Sequence, residues 1–137
     1  MATQKSLDEA YMRCAKAIAA LSHAERKKVG AILVSSHGHG IIAEGYNGTP
    51  SGFDNVCEVG NVTKPEVLHA ESNAITKVAR STNSSECATM YVTCAPCFEC
   101  SKLIIQAGII RVVYEEEYRF SDGPDLLLEA GILVEKL

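Results

Sequence analysis

Three of the six cysteines fall in one short segment, Cys94-Ala-Pro-Cys97-Phe-Glu-Cys100, which is the most informative feature of the sequence. The run over 88–93 predicts a strand that leads into Cys94, and helix-forming residues over 96–107 predict a helix. The proline is expected in the first helical turn, where its missing N–H is tolerated. Cys97 and Cys100 are three residues apart, so their sulfurs share one face of that turn. The fold must therefore bring a strand end and a helix start to a pair of thiols.

A CxxC pair at a helix N-terminus is suited to binding a soft metal ion. The unpaired N–H groups and the helix dipole stabilise thiolates there, and zinc binds deprotonated sulfur. His69, at the start of the preceding predicted helix, offers a third ligand to join Cys97 and Cys100. Three protein ligands leave a fourth tetrahedral position for water, as in catalytic zinc sites. Cys94 also forms a CxxC with Cys97, but it precedes the proline and is not expected to be a ligand.

Glu71 stands two residues after His69 and is the predicted acid–base group. Zinc lowers the pKa of bound water to about 7, and a nearby carboxylate can then carry the proton. The combined H-x-E and P-C-x-x-C pattern is typical of zinc-dependent nucleobase deaminases. Each half alone has a plainer interpretation. A lone CxxC is often a structural zinc half-site or a redox pair, and a lone His is usually a structural residue.

The remaining patterns predict one α/β domain over residues 1–137. Helical spacing covers 7–21 with Ser6 as the N-cap, and two apolar runs at 29–34 and 41–46 predict a hairpin. A long loop, 47–64, is of a length that is usually functional. The further predicted elements are a helix over 68–80, strands over 88–93, 109–114 and 132–134, and helices over 96–107 and 125–130. This order favours a mixed five-stranded sheet with helices on both faces.

Composition narrows the possible partners. The 137 residues carry 13 Lys and Arg against 17 Asp and Glu, a net charge of −4, so no nucleic-acid partner is expected. No apolar run is long enough to span a membrane, and the first ten residues lack the apolar core of a signal peptide. We therefore expect a soluble cytoplasmic protein, in which clustered cysteines indicate metal chemistry more often than disulfides.

Five segments together are similar to the deoxycytidylate (dCMP) deaminases of the cytidine deaminase-like fold, over essentially the whole chain. They are Val29-Gly30-Ala31, Gly45-Tyr46-Asn47-Gly48-Thr49-Pro50-Ser51-Gly52, His69-Ala70-Glu71-Ser72-Asn73-Ala74-Ile75, Pro96-Cys97-Phe98-Glu99-Cys100 and Ile104-Ile105-Gln106-Ala107-Gly108-Ile109. The HAE and PCxxC motifs are shared across that superfamily, whereas GYNGTPSG together with HAESNAI is typical of the deoxycytidylate branch. The resemblance implies a three-layer α/β/α fold.

The resemblance also implies a reaction, the hydrolytic deamination of dCMP to dUMP with release of ammonia, which supplies dUMP for thymidylate synthesis. His69, Cys97 and Cys100 would hold one catalytic zinc per chain. Attack at C4 of the pyrimidine would be accompanied by protonation of N3 by Glu71, which then delivers a proton to the departing ammonia. Some viral relatives hold a second zinc through a cysteine before the first strand, where this chain has Ala24 and Glu25. This chain therefore has no evident second cysteine that would bind such a zinc ion together with Cys57.

Substrate contacts follow from the same resemblance. It places the phosphate on Arg26, the sugar hydroxyl on Asn47 and the pyrimidine O2 on the backbone N–H of Ala70. Tyr118 and Arg119 belong to a segment that closes over the nucleotide. Plainer interpretations stay open: the run from Arg26 to Lys28 resembles a solvated helix end, Asn47 suits a turn beside a glycine, and Tyr118-Arg119 suits an exposed surface.

Members of this family are commonly hexamers that dCTP with Mg²⁺ activates and dTTP inhibits. The resemblance implies the same homohexamer and regulators here, with the regulatory nucleotide near Lys27, Tyr46, Asn47 and Gly48. Lys27 and Lys28 are candidates to contact either the substrate phosphate or the triphosphate of a regulatory nucleotide. If the source is a virus, the expected location is the host cytoplasm. His37 and His39 are expected to be exposed turn residues without a role.

Three other functions compete with this interpretation. A tRNA adenosine deaminase shares HAE and PCxxC but needs a basic face for RNA. A free cytidine deaminase has no use for Arg26. A structural zinc module that holds a partner-binding fold gives no reason for Glu71 beside an open coordination position.

Overall fold

The computed structural model describes residues 2–37 and 40–137. Within them the chain forms the helices α1 (Gln4–Ala19), α2 (Ala70–Ala79), α3 (Phe98–Gln106) and α4 (Asp122–Glu129). The strands are β1 (Gly30–Val34), β2 (Ile41–Tyr46), β3 (Glu58–Val59), β4 (Val62–Thr63), β5 (Thr89–Cys94), β6 (Arg111–Glu116) and β7 (Leu133–Lys136). His37 is exposed in the turn after β1, and the prediction for His39 falls outside the described residues.

The main sheet has the strand order β2-β1-β5-β6-β7. β1 pairs antiparallel with both β2 and β5, while β5, β6 and β7 run parallel. The hairpin and the mixed five-stranded sheet predicted from the sequence are thus confirmed. Parallel neighbours need a crossover, and α3 and α4 supply it between β5, β6 and β7.

Helices cover both faces of the sheet, as predicted. Met12 and Ala15 of α1 pack on one face against Ile32, Tyr91 and Val113. The opposite face carries α2, α3 and α4 in the larger apolar core, whose helical members are Ala70, Ala74, Val78, Ile104 and Leu127. The alternation of side chains along each strand divides the two cores, and the result is a three-layer α/β/α arrangement.

The helix starts differ from the sequence predictions. Thr3, not Ser6, caps α1: its Oγ1 accepts the Ser6 N–H at 3.1 Å, and the helix begins at Gln4. Pro96 lies before α3 instead of in its first turn, because Cys97 is the N-cap and its sulfur accepts the Cys100 N–H. Likewise α4 begins at Asp122, three residues earlier than predicted, with Ser121 as the N-cap residue.

The predicted loop 47–64 contains a small antiparallel hairpin, β3–β4, that the sequence analysis missed. Gly60 and Asn61 form its turn with φ angles of 58° and 62°. Two consecutive positive φ angles are what a type I′ hairpin turn requires. The Val-Gly-Asn-Val stretch that encloses this turn was therefore an available signal.

Close packing of α2 on β2 fixes the start of α2. A Cβ added to Gly45 of β2 would lie 2.4 Å from the Ala70 carbonyl oxygen and 2.6 Å from the Ala74 nitrogen. Only glycine permits that approach, which brings the first turn of α2 against the sheet. No helix in the described parts of the chain is both long and apolar enough to cross a lipid bilayer.

Candidate metal centre and its cavity

Two helix N-termini meet at the end of β5 and bring together His69, Cys97 and Cys100. His69 is the N-cap residue of α2, and its ring makes no capping hydrogen bond. The Nδ1 atom of His69 lies 3.5 Å from the Cys97 Sγ and 3.3 Å from the Cys100 Sγ. All three ligand atoms lie within 4.8 Å of one another, and no other group of this kind occurs in the described residues.

These donors fit zinc. Nitrogen and sulfur ligands at the usual zinc distances of about 2.0 and 2.3 Å are about 3.6 Å apart in a tetrahedron, close to the separations found here. One imidazole and two thiols are also the borderline-soft donor set that zinc prefers. Zinc bound by these three residues keeps one coordination position for a further ligand.

The hydrogen bonds within the cluster already favour the thiolate form of Cys97, the form that binds a metal ion. Hydrogen bonds from the Cys100 thiol, from His69 and from the Cys100 backbone N–H lower the pKa of Cys97 to about 4. The pKa of Cys100 is raised because it donates to Cys97 and is buried. The neighbouring Cys97 sulfur raises the pKa of His69. Since a ligand thiol must be deprotonated, metal binding here includes loss of the Cys100 proton.

Glu71 lies in the first turn of α2, directly beside this cluster, and is only 4% exposed. Burial raises the pKa of its carboxyl to about 7, against the attraction of His69. A carboxyl poised near neutrality exchanges protons readily in both directions. The geometry therefore places a buried carboxyl beside a cluster that could hold a metal ion.

The cluster opens into a cavity of about 550 Å³, within the size range of small-molecule sites. Most of the residues singled out from the sequence line it: Arg26, Lys27, Asn47, His69, Ala70, Glu71, Cys97, Tyr118 and Arg119. Lys27, predicted beside a regulatory nucleotide, thus lies in the same cavity as Glu71. Tyr46 and Gly48 are not among the lining residues. The Lys77 ammonium lies over the Tyr46 ring, 6.0 Å from the ring centroid.

Two predicted contact residues have partners of their own. The Asn47 side chain accepts the Val29 N–H at 2.8 Å and donates to the Lys27 carbonyl at 2.7 Å. It therefore fastens the end of β2 to the segment before β1, with one N–H and one lone pair left over. Lys27 forms an ion pair with Glu116 at 2.6 Å, which raises its pKa.

Tyr118, Arg119 and Phe120 contact one another through their rings and guanidinium, and Tyr118 and Arg119 line the cavity. The Arg119 guanidinium lies 5.7 Å from the Tyr118 ring centroid and 5.1 Å from that of Phe120. Such contacts orient a guanidinium without using its hydrogen-bond donors. Arg119 thus lines the cavity, and its aromatic contacts do not use its N–H donors.

The other two cysteines near the site stay outside the cluster. Cys94 ends β5 and is buried at the cavity wall, and burial raises the pKa of its thiol. Cys57 is also buried at the wall, within the long loop, and burial raises its pKa as well. Neither sulfur belongs to the group of ligand atoms that His69, Cys97 and Cys100 form.

Several residues of the cavity were not predicted from the sequence, among them Glu58, Thr63 and Glu117. Glu58 and Thr63 belong to the hairpin β3–β4, so recognising its Gly-Asn turn would have placed both on facing strands. Glu117 directly precedes Tyr118 and had no separate signal.

The fold and the His-Cys-Cys cluster define a zinc-binding deaminase domain. Residues 5–116 match the family model described as the cytidine and deoxycytidylate deaminase zinc-binding region, and the chain belongs to that family. The cyanophage S-TIM5 dCMP deaminase, whose crystal structure contains dCMP and dUMP, is 45% identical, with a TM-score of 0.94. That match covers 99% of this chain and all of the phage chain.

Curated relatives point to the same family. The human deoxycytidylate deaminase is 41% identical over 83% of this chain and 67% of its own length. The deoxycytidylate deaminase of Saccharomyces cerevisiae is 35% identical over 94% of this chain but only 44% of the yeast protein. The chain thus spans less than half of that relative's length.

Proposed function

We propose that this chain catalyses the zinc-dependent hydrolytic deamination of dCMP to dUMP, with release of ammonia, and so supplies dUMP for thymidylate synthesis. The observation that carries the proposal is the buried carboxyl of Glu71 beside the His69, Cys97 and Cys100 ligand atoms, in a cavity that Arg26 also lines. Similarity to the phage enzyme with bound dCMP and dUMP supports the choice of substrate. The catalytic domain spans residues 1–137 and acts in the cytoplasm.

His69, Cys97 and Cys100 hold one zinc ion per chain, which when bound acts as a Lewis acid and lowers the pKa of water. Glu71 accepts a proton from the attacking water and passes it to N3 of the pyrimidine. Glu71 then takes the remaining water proton from the hydroxyl on C4 and delivers it to the amino nitrogen, so that the bond between C4 and nitrogen breaks, ammonia leaves and C4 becomes the carbonyl of dUMP. The raised pKa of Glu71 suits it to both directions of transfer.

The other cavity residues orient the nucleotide. The Ala70 N–H, at the start of α2, donates to the pyrimidine O2, and the remaining amide capacity of Asn47 serves a sugar hydroxyl. Arg26 binds the phosphate, for which a guanidinium offers a planar fork of donors. Tyr118 and Arg119 close over the nucleotide from the end of β6.

We further propose that the chain assembles into homohexamers, activated by dCTP with Mg²⁺ and inhibited by dTTP. Lys27, Tyr46, Asn47 and Gly48 are the proposed regulatory contacts, supported by the GYNG sequence. The rate is expected to depend sigmoidally on dCMP concentration and to respond to both nucleotides. A hyperbolic curve that neither nucleotide alters contradicts this part of the proposal.

The direct assay incubates zinc-loaded protein with dCMP in the presence of dCTP and Mg²⁺ and follows the loss of cytosine absorbance, with deoxycytidine as the parallel substrate. We expect conversion of dCMP to dUMP and a much lower kcat/KM for deoxycytidine, which lacks the phosphate. Arg26→Ala is expected to raise the KM for dCMP. Folded, zinc-loaded protein that leaves dCMP unchanged contradicts the proposed function.

A further inference from the structure

The segment that carries Arg26 has little regular structure to hold it. Residues 23–28 lie between α1 and β1, outside the helices and strands of the described chain. Side chains from other segments bind its backbone instead. Asn47 accepts the Val29 N–H and donates to the Lys27 carbonyl, which fixes the end nearer β1. The part around Arg26 needs a separate anchor.

Glu58 of β3 provides that anchor. Its carboxylate accepts the Glu25 N–H at 3.0 and 3.2 Å, one distance to each oxygen, and the Arg26 N–H at 3.1 Å. Two consecutive backbone N–H groups thus point at one carboxylate. Hydrogen bonds to a charged acceptor are roughly twice as strong as neutral ones. Glu58 therefore sets the backbone position from which the Arg26 side chain starts.

Thr63 holds the other end of the same residue. It lies opposite Glu58 in the β3–β4 register, and its Oγ1 accepts a hydrogen bond from Arg26 Nη1 at 3.2 Å. One cross-strand pair of the hairpin thus fixes both the backbone and the guanidinium of Arg26. A guanidinium has five N–H donors, so the Thr63 contact leaves most of them for an anion.

The position of the Glu58 carboxylate leaves the Arg26 guanidinium available to a ligand. The hydrogen bonds on Glu58 come from backbone amides, so they do not occupy the guanidinium. Arg26, Glu58 and Thr63 all line the cavity that also contains His69 and Glu71. The hairpin and the metal cluster therefore lie on one cavity, and the hairpin contacts the residue proposed to bind the phosphate.

We infer that Glu58 is a positioning residue which, with Thr63, sets Arg26 to bind the 5′-phosphate and so makes the enzyme selective for a nucleoside monophosphate over the nucleoside. This inference rests on the proposed function. Removal of Glu58 lets the segment 23–28 move and misplaces the guanidinium. The removal of Glu58 therefore weakens binding of the phosphate and leaves the deamination step at the base unchanged.

The test compares Glu58→Ala, Glu58→Gln and Thr63→Val with the control Glu66→Ala, which removes an exposed carboxylate from the turn that follows β4. For Glu58→Ala we expect the KM for dCMP to rise about tenfold with kcat within about twofold, since a charge-assisted contact is lost. The kcat/KM for deoxycytidine stays unchanged. Glu58→Gln recovers part of the loss because its amide oxygen still accepts an N–H. Thr63→Val gives a smaller rise, and Glu66→Ala has no effect.

Equal losses on dCMP and deoxycytidine overturn the inference, because a merely structural role lowers both. An unchanged KM for dCMP in Glu58→Ala overturns it as well. Zinc content and thermal unfolding confirm that each variant is folded.

A readout without turnover separates this inference from the proposed function. Calorimetry measures the binding of dUMP and of deoxyuridine, and hydrogen exchange follows the Glu25 and Arg26 amides. Glu58→Ala is expected to weaken the binding of dUMP about tenfold and to leave the binding of deoxyuridine unchanged. It is also expected to speed hydrogen exchange at both amides. Wild-type protein that binds dUMP but does not convert dCMP contradicts the proposed function alone. An unchanged Kd for dUMP in Glu58→Ala contradicts the inference alone.

Discussion

Position decides what each cysteine of the C-A-P-C-F-E-C segment does. Cys94 ends a strand, so its buried thiol has a raised pKa and no helix N-terminus to stabilise a negative charge. Cys97 caps α3, and hydrogen bonds from the Cys100 thiol, from His69 and from the Cys100 backbone N–H lower its pKa to about 4. Three residues of separation therefore divide a buried thiol at a strand end from a thiol that caps a helix beside His69 and Cys100.

Serine substitutions test this division. Cys97→Ser is expected to lose the metal, because an alcohol replaces a thiolate ligand, whereas Cys94→Ser keeps about one zinc per chain. Metal analysis after dialysis against a weak chelator measures both variants. Loss of zinc in Cys94→Ser, with retention in Cys97→Ser, contradicts the assignment.

Contacts between helices hold the metal cluster in shape. Gly123 lies in the first turn of α4, where an added Cβ would be 2.1 Å from the Pro96 carbonyl oxygen and 2.9 Å from the Cys97 carbonyl carbon. The start of α4 therefore packs directly on the backbone that carries Cys97. Because α4 begins three residues before the predicted Asp125, the sequence analysis did not anticipate this contact.

A methyl group at this contact should separate α4 from the metal segment. Gly123→Ala is expected to lower the free energy of unfolding by about 1–3 kcal/mol, as overpacking does, and to weaken zinc binding. Denaturant unfolding and zinc titration measure the two effects. Gly48→Ala is the matched control for stability, since the nearest atom to its added Cβ is 3.8 Å away. Equal stability of the two variants contradicts the packing argument.

Local patterns predicted the elements that carry the metal ligands well. The 41–46 strand, its hairpin with β1 and the helices that follow His69 and Cys97 agree with side-chain type and spacing, although α2 and α3 begin two residues later than predicted. Contacts between distant segments could not be read in this way. Glu58 binds the backbone of residues 25 and 26, and no pattern in either segment signals that pairing. The roles of the cavity residues likewise depended on similarity to a family.

An ion pair between Asp8, which is buried, and Arg111, which is half-buried, connects α1 to the sheet. The Arg111 guanidinium of β6 contacts both carboxylate oxygens of Asp8 in α1, at 2.8 and 2.6 Å, and also pairs with Glu135 of β7. The Tyr91 hydroxyl donates to Asp8 at 2.6 Å. These hydrogen bonds, chiefly from Arg111, lower the pKa of Asp8 to about 2. The pair therefore fastens α1 to the sheet.

The lowered pKa predicts how stability depends on pH. Because the folded state binds the Asp8 proton less readily than the unfolded state, Asp8 contributes its full stabilisation above the ordinary value of 3.8. That contribution, about 2 kcal/mol, is lost as the pH falls from about 4 to about 2. Denaturant unfolding of the wild type and Asp8→Asn should therefore differ at pH 7 and converge near pH 2. A difference that is the same at both pH values contradicts this account.

The central claim is that Glu71 carries protons for a deamination at the His69, Cys97 and Cys100 cluster. The most direct measurement is the kcat of Glu71→Gln for dCMP, with zinc content determined on the same samples. We expect kcat to fall by about 10²–10⁴-fold while about one zinc per chain is retained, because glutamine keeps the shape but carries no exchangeable acid proton. A zinc-loaded Glu71→Gln variant that turns over dCMP at the wild-type rate contradicts the account.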